Sequence, residues 1–424
     1  MRILYFLPFL LLASCFSEEK VDIGSSDTYI RYFNGGYNDE PVTIEKTIDN
    51  GYVILSNMTL KDGRFKIKLI KTDDQGNLIW SKLYPEFNTI KTDPLFSKRA
   101  FGLLVLQEGG YVLAGENINS NKSQMLVITL DSDGNQKAEK IYTSAASVRG
   151  VAITENTHPD SLDTNKKPLS YIVLGSVLGG ITENMVIGGL RKSDLSYTWV
   201  RTYGSGESNL TNKLFLNSQG SVFFGGTVIR QNKSDVRLVK TLQNSQNTDF
   251  DLPIGDPGFN EVGIDICRYG YGFAIIGSTN EKKDASGNAI SGDRDILFQR
   301  LAEDGSVIGN PVTFPIKTNG DIEVPGNKSG NALAVTYDGG LLLAGTVPSN
   351  EALNFGRDGT DLYLIKIDAF GTVTWQKDIG SRNDDQSIAV LQADDGGYVI
   401  LASTTLAGLK SIMMLKTDTN GNIQ

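Results

Sequence analysis

This sequence predicts an all-β fold, a seven-bladed β-propeller of four-stranded antiparallel blades, on three observations. A turn followed by an aliphatic strand that usually closes on a small residue recurs seven times: NGYVILSN at Asn50, GGYVLAGE at Gly109, LSYIVLGS at Leu169, QGSVFFGG at Gln219, YGFAIIGS at Tyr271, GGLLLAGT at Gly339 and GGYVILAS at Gly396. Helical periodicity is nearly absent, and short apolar runs alternate with Gly and Asp/Asn-Gly turns. The last copy, DDGGYVILASTTLAGLKSIMMLKTDTNGNIQ from Asp394, stops where a further strand is due.

The spacing fits a ring of blades. From Gly51 to Gly397 six intervals span 346 residues, a mean of about 58. Propeller blades run to roughly 40 to 50 residues before loop insertions. Each anchor is preceded by an apolar strand, as in FGLLVLQ from Phe101, ALAVTY from Ala332 and SIAVLQA from Ser387. Another follows it, as in FKIKLIK from Phe65, VRLVK from Val236, DILFQRL from Asp295 and LYLIKI from Leu362. The turns DQGN, SDGN, EDGS and TNGN then supply residues that tolerate φ > 0 and lead into a fourth strand. One such meander cannot bury both faces, but seven packed radially can, leaving only short protected edges. Trp80, Trp199 and Trp375 share one repeat position, first in the fourth strand, which marks them as packing between blades.

The missing closing strand is expected at the other end of the chain. TYIRYFNGG (28–36) aligns with TWVRTYGSG (198–206), setting Tyr29 on Trp199, Arg31 on Arg201 and Phe33 on Tyr203. Residues 28–33 are therefore expected to complete the last blade, and residues 28–424 to form a single propeller domain.

The pattern resembles the bacterial propeller repeats of the form DGGYxLAGxT…DxYLIKLDxxGNxxWxKxYGG, frequent in secreted and lipid-anchored proteins of Bacteroidetes-type organisms and loosely kelch-like. The match is strong in the first, sixth and seventh copies. It is faint in the fourth and fifth, where KTLQNSQNTDFDLPIG has lost the turn glycine and the tryptophan. The resemblance implies fold and export but no single activity, since propellers host binding modules, scaffolds and enzymes alike.

The first residues read as a targeting segment. Arg2 and the apolar run from Ile3 to Leu12 form a signal too short for a membrane-spanning helix, which needs roughly 20 residues. Leu12-Ala13-Ser14-Cys15 resembles the bacterial lipoprotein box, which implies removal of residues 1–14 and lipidation of Cys15. Residues 15–27 then serve as a tether. No aspartate follows Cys15, which is compatible with outer-membrane sorting, and Ser17-Glu18-Glu19 resembles a short acidic surface-export signal. A cysteine carrying several acyl chains would hold the protein at a bilayer, where one chain alone holds marginally.

Composition agrees with an exported body held at a membrane by lipid. Removing Arg2 with the signal leaves 39 basic against 49 acidic residues, a net of −10, which disfavours a nucleic-acid partner. With Cys15 lipidated only Cys267 remains, so no intrachain disulfide forms, and Cys267 in GIDICRYG reads as a buried small hydrophobe.

In this strand order the first-to-second and third-to-fourth turns share one face, and the longer connections share the other. Insertions concentrate on that loop-rich face: 85–98, 280–294, 317–330 and 348–361. Residues 157–168 (THPDSLDTNKKP) are the exception, an insertion on the short-turn face. Tyr37, Phe87, Phe96, Phe259 and Phe355 are the candidate ligand-binding aromatics, with Asp39, Glu40, Asp384 and Asp385 nearby in sequence. Such rings beside carboxylates suit stacking on sugar rings or docking of a protein, and equally suit packing into crevices between blades.

Catalysis finds little support. The single histidine, His158, lies in the polar, Pro-flanked insertion 157–168, which speaks against a histidine-based triad, and one histidine cannot build a multi-histidine metal site. Asp131-Ser132-Asp133-Gly134-Asn135 resembles the opening of a calcium loop but lacks the later bidentate Glu, and its counterparts are hairpin turns. No cofactor or metal is expected. The leading expectation is a lipid-anchored, non-catalytic module for a glycan or protein partner. The alternatives are a carbohydrate-active lyase or hydrolase, which demands an axial cleft with two carboxylates, one of raised pKa, and a periplasm-facing scaffold for outer-membrane assembly.

Overall fold

Seven four-stranded antiparallel sheets stand around one axis in the computed structural model. The structure describes residues 28–423 apart from 86–96, 159–161, 180–181, 204–208, 211–212, 218–219, 231–232, 242–247, 256–258, 281, 284–288, 291–292, 315–325, 350–358 and 382. Blade 1 comprises Asn38–Lys46, Tyr52–Thr59, Phe65–Thr72 and Leu78–Tyr84. Blades 2 and 3 repeat this order from Ser97–Val105 to Gln136–Tyr142 and from Ser147–Glu155 to Tyr197–Tyr203. Blade 4 has a first strand broken into Asn209–Leu210 and Leu214–Leu216, and it keeps a fourth strand, Thr248–Ile254, although the sequence there had lost its turn signal. Blades 5 and 6 begin at Glu261–Tyr269 and Ser329–Val335 and end at Val307–Phe314 and Val373–Ile379.

The seventh blade is closed from the far end of the chain. Asp385–Gln392, Tyr398–Leu406 and Leu409–Thr417 supply three strands, and Tyr29–Phe33 supplies the fourth. It runs antiparallel to the third, with Tyr29 opposite Lys416 and Phe33 opposite Ile412.

Burial explains the patterning. The second and third strands are covered on both faces by neighbouring blades, so they read as continuous apolar runs: Val53, Ile54 and Leu55 are fully buried. Fourth strands lie on the outside and stay largely exposed, as in Leu78–Tyr84 with its exposed Leu78 and Ile79. Apolar clusters span each pair of adjacent blades. One joins blades 1 and 2 around Leu55 and Leu113, and another joins blades 7 and 1 through Tyr29, Ile54 and Met414. Fully burying one such aliphatic side chain contributes roughly 1.5 to 3 kcal/mol.

Two recurring motifs acquire a mechanical reason. In the repeated LIK segment the lysine near the end of the third strand is buried and turns back to clamp the first turn of its own blade. Lys71 binds Asp49 at 2.8 Å and the Thr72 carbonyl, Lys366 binds Asp338 at 2.8 Å and the Ile367 carbonyl, and Lys416 binds Asp395. In the D-x-x-G-N turns the aspartate accepts two backbone N–H groups. Asp131 takes those of Asp133 and Asn135, and Asp418 those of Asn420 and Asn422. Asp131 thus caps a hairpin, and among the described residues no group of three or more His, Cys, Asp or Glu is placed to hold a metal ion.

First strands carry a β-bulge at one fixed level, which bends them around the axis. The extra residue is Val42, Phe101, Val151, Ile264, Asn331 or Ile388 in blades 1, 2, 3, 5, 6 and 7. Blade 4 replaces the bulge with its break. Leu214 faces Phe224 there as Asp265 faces Ile276 in blade 5, so Lys213 stands at the bulge level.

Candidate functional site: the axial cavity

These bulged strands enclose a cavity of about 510 Å³ along the axis. Its wall runs from the bulge level to the short-turn ends of the strands, where Lys46, Val105 and Leu391 stand. The volume lies in the range of small-ligand sites. Most of the lining is aliphatic or aromatic, including Phe101, Leu103, Phe215 and Leu333. Against this apolar wall stand Glu45, Lys213, Asp265 and Asn331.

Each polar group arrives by a different route. Asp265 follows the bulge of blade 5 and is tied down: its Oδ1 accepts the Ile266 N–H at 2.9 Å, and its Oδ2 accepts the Leu333 N–H of blade 6 at 3.0 Å. Lys213 Nζ lies 3.7 Å from Asp265 Oδ1. Asn331 Oδ1 accepts hydroxyls from Ser329, Thr346 and Ser387, which staples blade 6 to blade 7. Glu45 projects from the first strand of blade 1, and among the described residues its carboxyl makes no hydrogen bond.

Electrostatics follow from enclosure. Burial raises the Glu45 carboxyl above the usual glutamate value; Lys213 opposes that rise and Asp265 adds to it. Asp265 is likewise raised by burial, against the pull of Lys213 and of the two backbone N–H groups. The Lys213 ammonium is held above its ordinary value, chiefly by the Asp265 charge. Glu45 keeps some solvent exposure in spite of its raised value, because its surroundings are a channel wall and not open surface.

At the short-turn mouth, Lys46 reaches across to Asp394 at 2.5 Å and to the Tyr337 hydroxyl at 2.9 Å, joining blades 1, 7 and 6. Tyr337 is 65% exposed there.

Of the aromatics marked in the sequence, Tyr37 is partly exposed, whereas Phe259 is buried at 7% and faces the interior. Phe87, Phe96, Phe355 and the acylation candidate Cys15 lie outside the described residues. Asp39 is fully buried and binds Lys68 at 2.8 Å, and Asp385 is fully buried and accepts the Ser381 N–H at 2.7 Å, so both hold the scaffold. Glu40 stays on the surface 3.7 Å from Lys410, and Asp384 is exposed. His158 is buried at 5%, its ring against Gly220 of the next blade. Cys267, expected to be buried, is half-buried beside the core of blades 5 and 6, and its desolvation drives the thiol far above its ordinary value, the opposite of an activated nucleophile.

Sequence reasoning missed the axial residues. Glu45, Lys213 and Asp265 are far apart in the chain, two within first strands and Lys213 at the break of blade 4. Aligning the seven copies at the first strand gives the signal: Lys213 and Asn331 stand where the others carry Val42, Phe101, Val151, Ile264 and Ile388.

The chain is a seven-bladed β-propeller whose bulged inner strands enclose an axial cavity lined by mixed charge. No protein-family model matches it, and no curated protein matches it. Solved structures similar to it are of low identity. Sqt1 from Chaetomium thermophilum has 10% identity and a TM-score of 0.47, over 88% of this chain and 83% of that one. A neuraminidase-like protein of A/little yellow-shouldered bat/Guatemala has 11% identity and a TM-score of 0.44, over 77% and 96%. Trypanosoma rangeli sialidase has 12% identity and a TM-score of 0.38, over 90% of this chain and 55% of that one.

Proposed function

We propose that this chain is an exported, lipid-anchored propeller of the outer membrane, displayed at the cell surface, that binds a glycan or protein partner without catalysing a reaction. The observation that supports binding over turnover is the inequality of the two axial carboxylates. Asp265 is committed to two backbone N–H groups and to Lys213, which leaves Glu45, among the described residues, as the axial carboxylate without a hydrogen bond. Two-carboxylate chemistry needs both members able to exchange a proton or reach the substrate. A charged Lys213 beside Asp265 is a poor base. Glycan arrays and pull-downs with the detergent-purified chain test the reading, with retention of one glycan class or partner expected. Turnover of the bound glycan, abolished by Glu45→Gln, would sink it.

The carbohydrate-active alternative draws on one specific observation, the raised carboxyl of Glu45 within an axial cavity. It requires product formation from a polysaccharide with a pH profile set by Glu45. Anchoring at Cys15 is tested by incorporation of a labelled fatty acid that Cys15→Ala removes. Protease shaving of intact cells separates surface display from a periplasm-facing scaffold.

A further inference from the structure

We infer that the axial cavity is a site for a primary ammonium group carried on an aliphatic stem, either the side chain of a partner's lysine or a small alkyl amine. The inference rests on the non-catalytic reading above and names the chemistry its site would take. Of the charged side chains on the wall Lys46 is paired with Asp394, and Glu45, Asp265 and Lys213 then carry one net negative charge when all are ionised. A buried carboxylate left alone is costly unless it takes a proton or gains a cation. Asp265 already has its donors, so the charge to be met is that of Glu45.

The wall decides which cation. Calcium seeks six to eight oxygen ligands and magnesium a near-ideal octahedron. Here Ile44, Leu104 and Leu391 line the same wall as Glu45, which is a single uncommitted carboxylate where either ion needs several oxygen ligands. An alkylammonium matches instead, because its three N–H donors satisfy Glu45 while its methylenes lie on the aliphatic wall. Lys213, held by Asp265, sets the register: it repels a second cation at the blade 4 side and keeps the ligand on the blade 1 side.

Titration calorimetry of n-butylammonium into the detergent-purified chain tests the site, with n-butanol as the uncharged match. The expected result is one saturable site, in roughly the millimolar range for so small a ligand, and no saturation by butanol. Glu45→Gln should weaken binding at least tenfold with an unchanged circular dichroism spectrum and a thermal transition no lower than the parent's. Lys213→Met, which removes the competing ammonium, should tighten it several-fold, so the two variants move in opposite directions. A lysine-containing peptide that binds more tightly than butylammonium, and loses this on Nε-acetylation, identifies a polypeptide source; equal or weaker peptide binding identifies the small amine. Equal binding of butanol and butylammonium, or insensitivity to both substitutions, overturns the inference. Glycan turnover with amine binding intact would remove the non-catalytic reading and leave this site standing.

Discussion

The ring of Tyr29 lies against Gly76, so close that a Cβ on that glycine would fall 2.6 Å from the Tyr29 Cε2 atom. The same contact joins Trp80 to Gly134 of the next blade and Trp375 to Gly421. Tyr29 therefore stands in for the tryptophan of the seventh blade and locks it to the first. Tyr29→Ala should cost about 3 kcal/mol, by the usual loss for a buried aromatic. Tyr29→Trp should be tolerated within about 1.5 kcal/mol as a swap into a site other blades fill with Trp. Urea unfolding midpoints measure both.

Gly340 probes the lysine clamp from the other side. A Cβ there would meet the Ile367 carbonyl at 2.2 Å and Lys366 Nζ at 2.6 Å. Gly340→Ala should destabilise by about 1–3 kcal/mol through overpacking. The variant should also lose the acid dependence contributed by Asp338.

That acid dependence has a defined sign. Burial acts to raise the Asp338 carboxyl, but hydrogen bonds from Lys366 and Thr336 outweigh it and hold the group at about 2. An ordinary unfolded aspartate titrates near roughly 3.9, so this stabilisation is complete above that value and disappears as pH falls through about 2. Asp338 is exposed, which limits the effect to less than about 1 kcal/mol. Asp338→Asn should flatten the unfolding midpoint between pH 4 and pH 2.

Glu45 has the opposite sign. Its folded value lies above the unfolded one, so the native state holds the proton more tightly and stability falls as pH rises through that window. The groups acting on it are Lys213 and Asp265. Glu45→Gln should be at least as stable as the parent at pH 7, with the difference closing below the ordinary glutamate value. Thermal melts across pH 3.5 to 7.5 check this, and a variant less stable at every pH would contradict it.

Cys267 should react slowly with thiol reagents in the native chain at pH 8 and faster once urea unfolds it, because desolvation holds this half-buried thiol protonated. Rapid native labelling would show that the inner strand of blade 5 opens on the timescale of the reaction.

The ring was legible because its inner strands are buried twice. Tyr52–Thr59 and Tyr398–Leu406 read as unbroken apolar runs, and the D-x-x-G-N turns mark each corner. Tyr29 could be aligned on Trp199 because both ends of the repeat keep the aromatic–Arg–aromatic spacing. The cavity was not legible, since Glu45, Lys213 and Asp265 meet only after seven blades have set the circumference. Loop composition drew attention to the loop-rich face, whereas the cavity extends along the inner strands toward the short-turn end. Phe259 shows the limit of that logic: an aromatic in a polar connection buries itself when a blade offers it a crevice.

The pairing of Tyr29 with Lys416 spans 387 positions, the difference of those two numbers. Translation yields Tyr29–Phe33 ahead of the first blade and Leu409–Thr417 after the sixth, so an emerging polypeptide must keep Tyr29–Phe33 unpaired while six sheets assemble. Closing so long a loop costs entropy that no earlier contact can repay. The circle can therefore snap shut only once Leu409–Thr417 has been made, and a chain cut short before Leu409 would leave both lips of the seam open to whatever strand comes by.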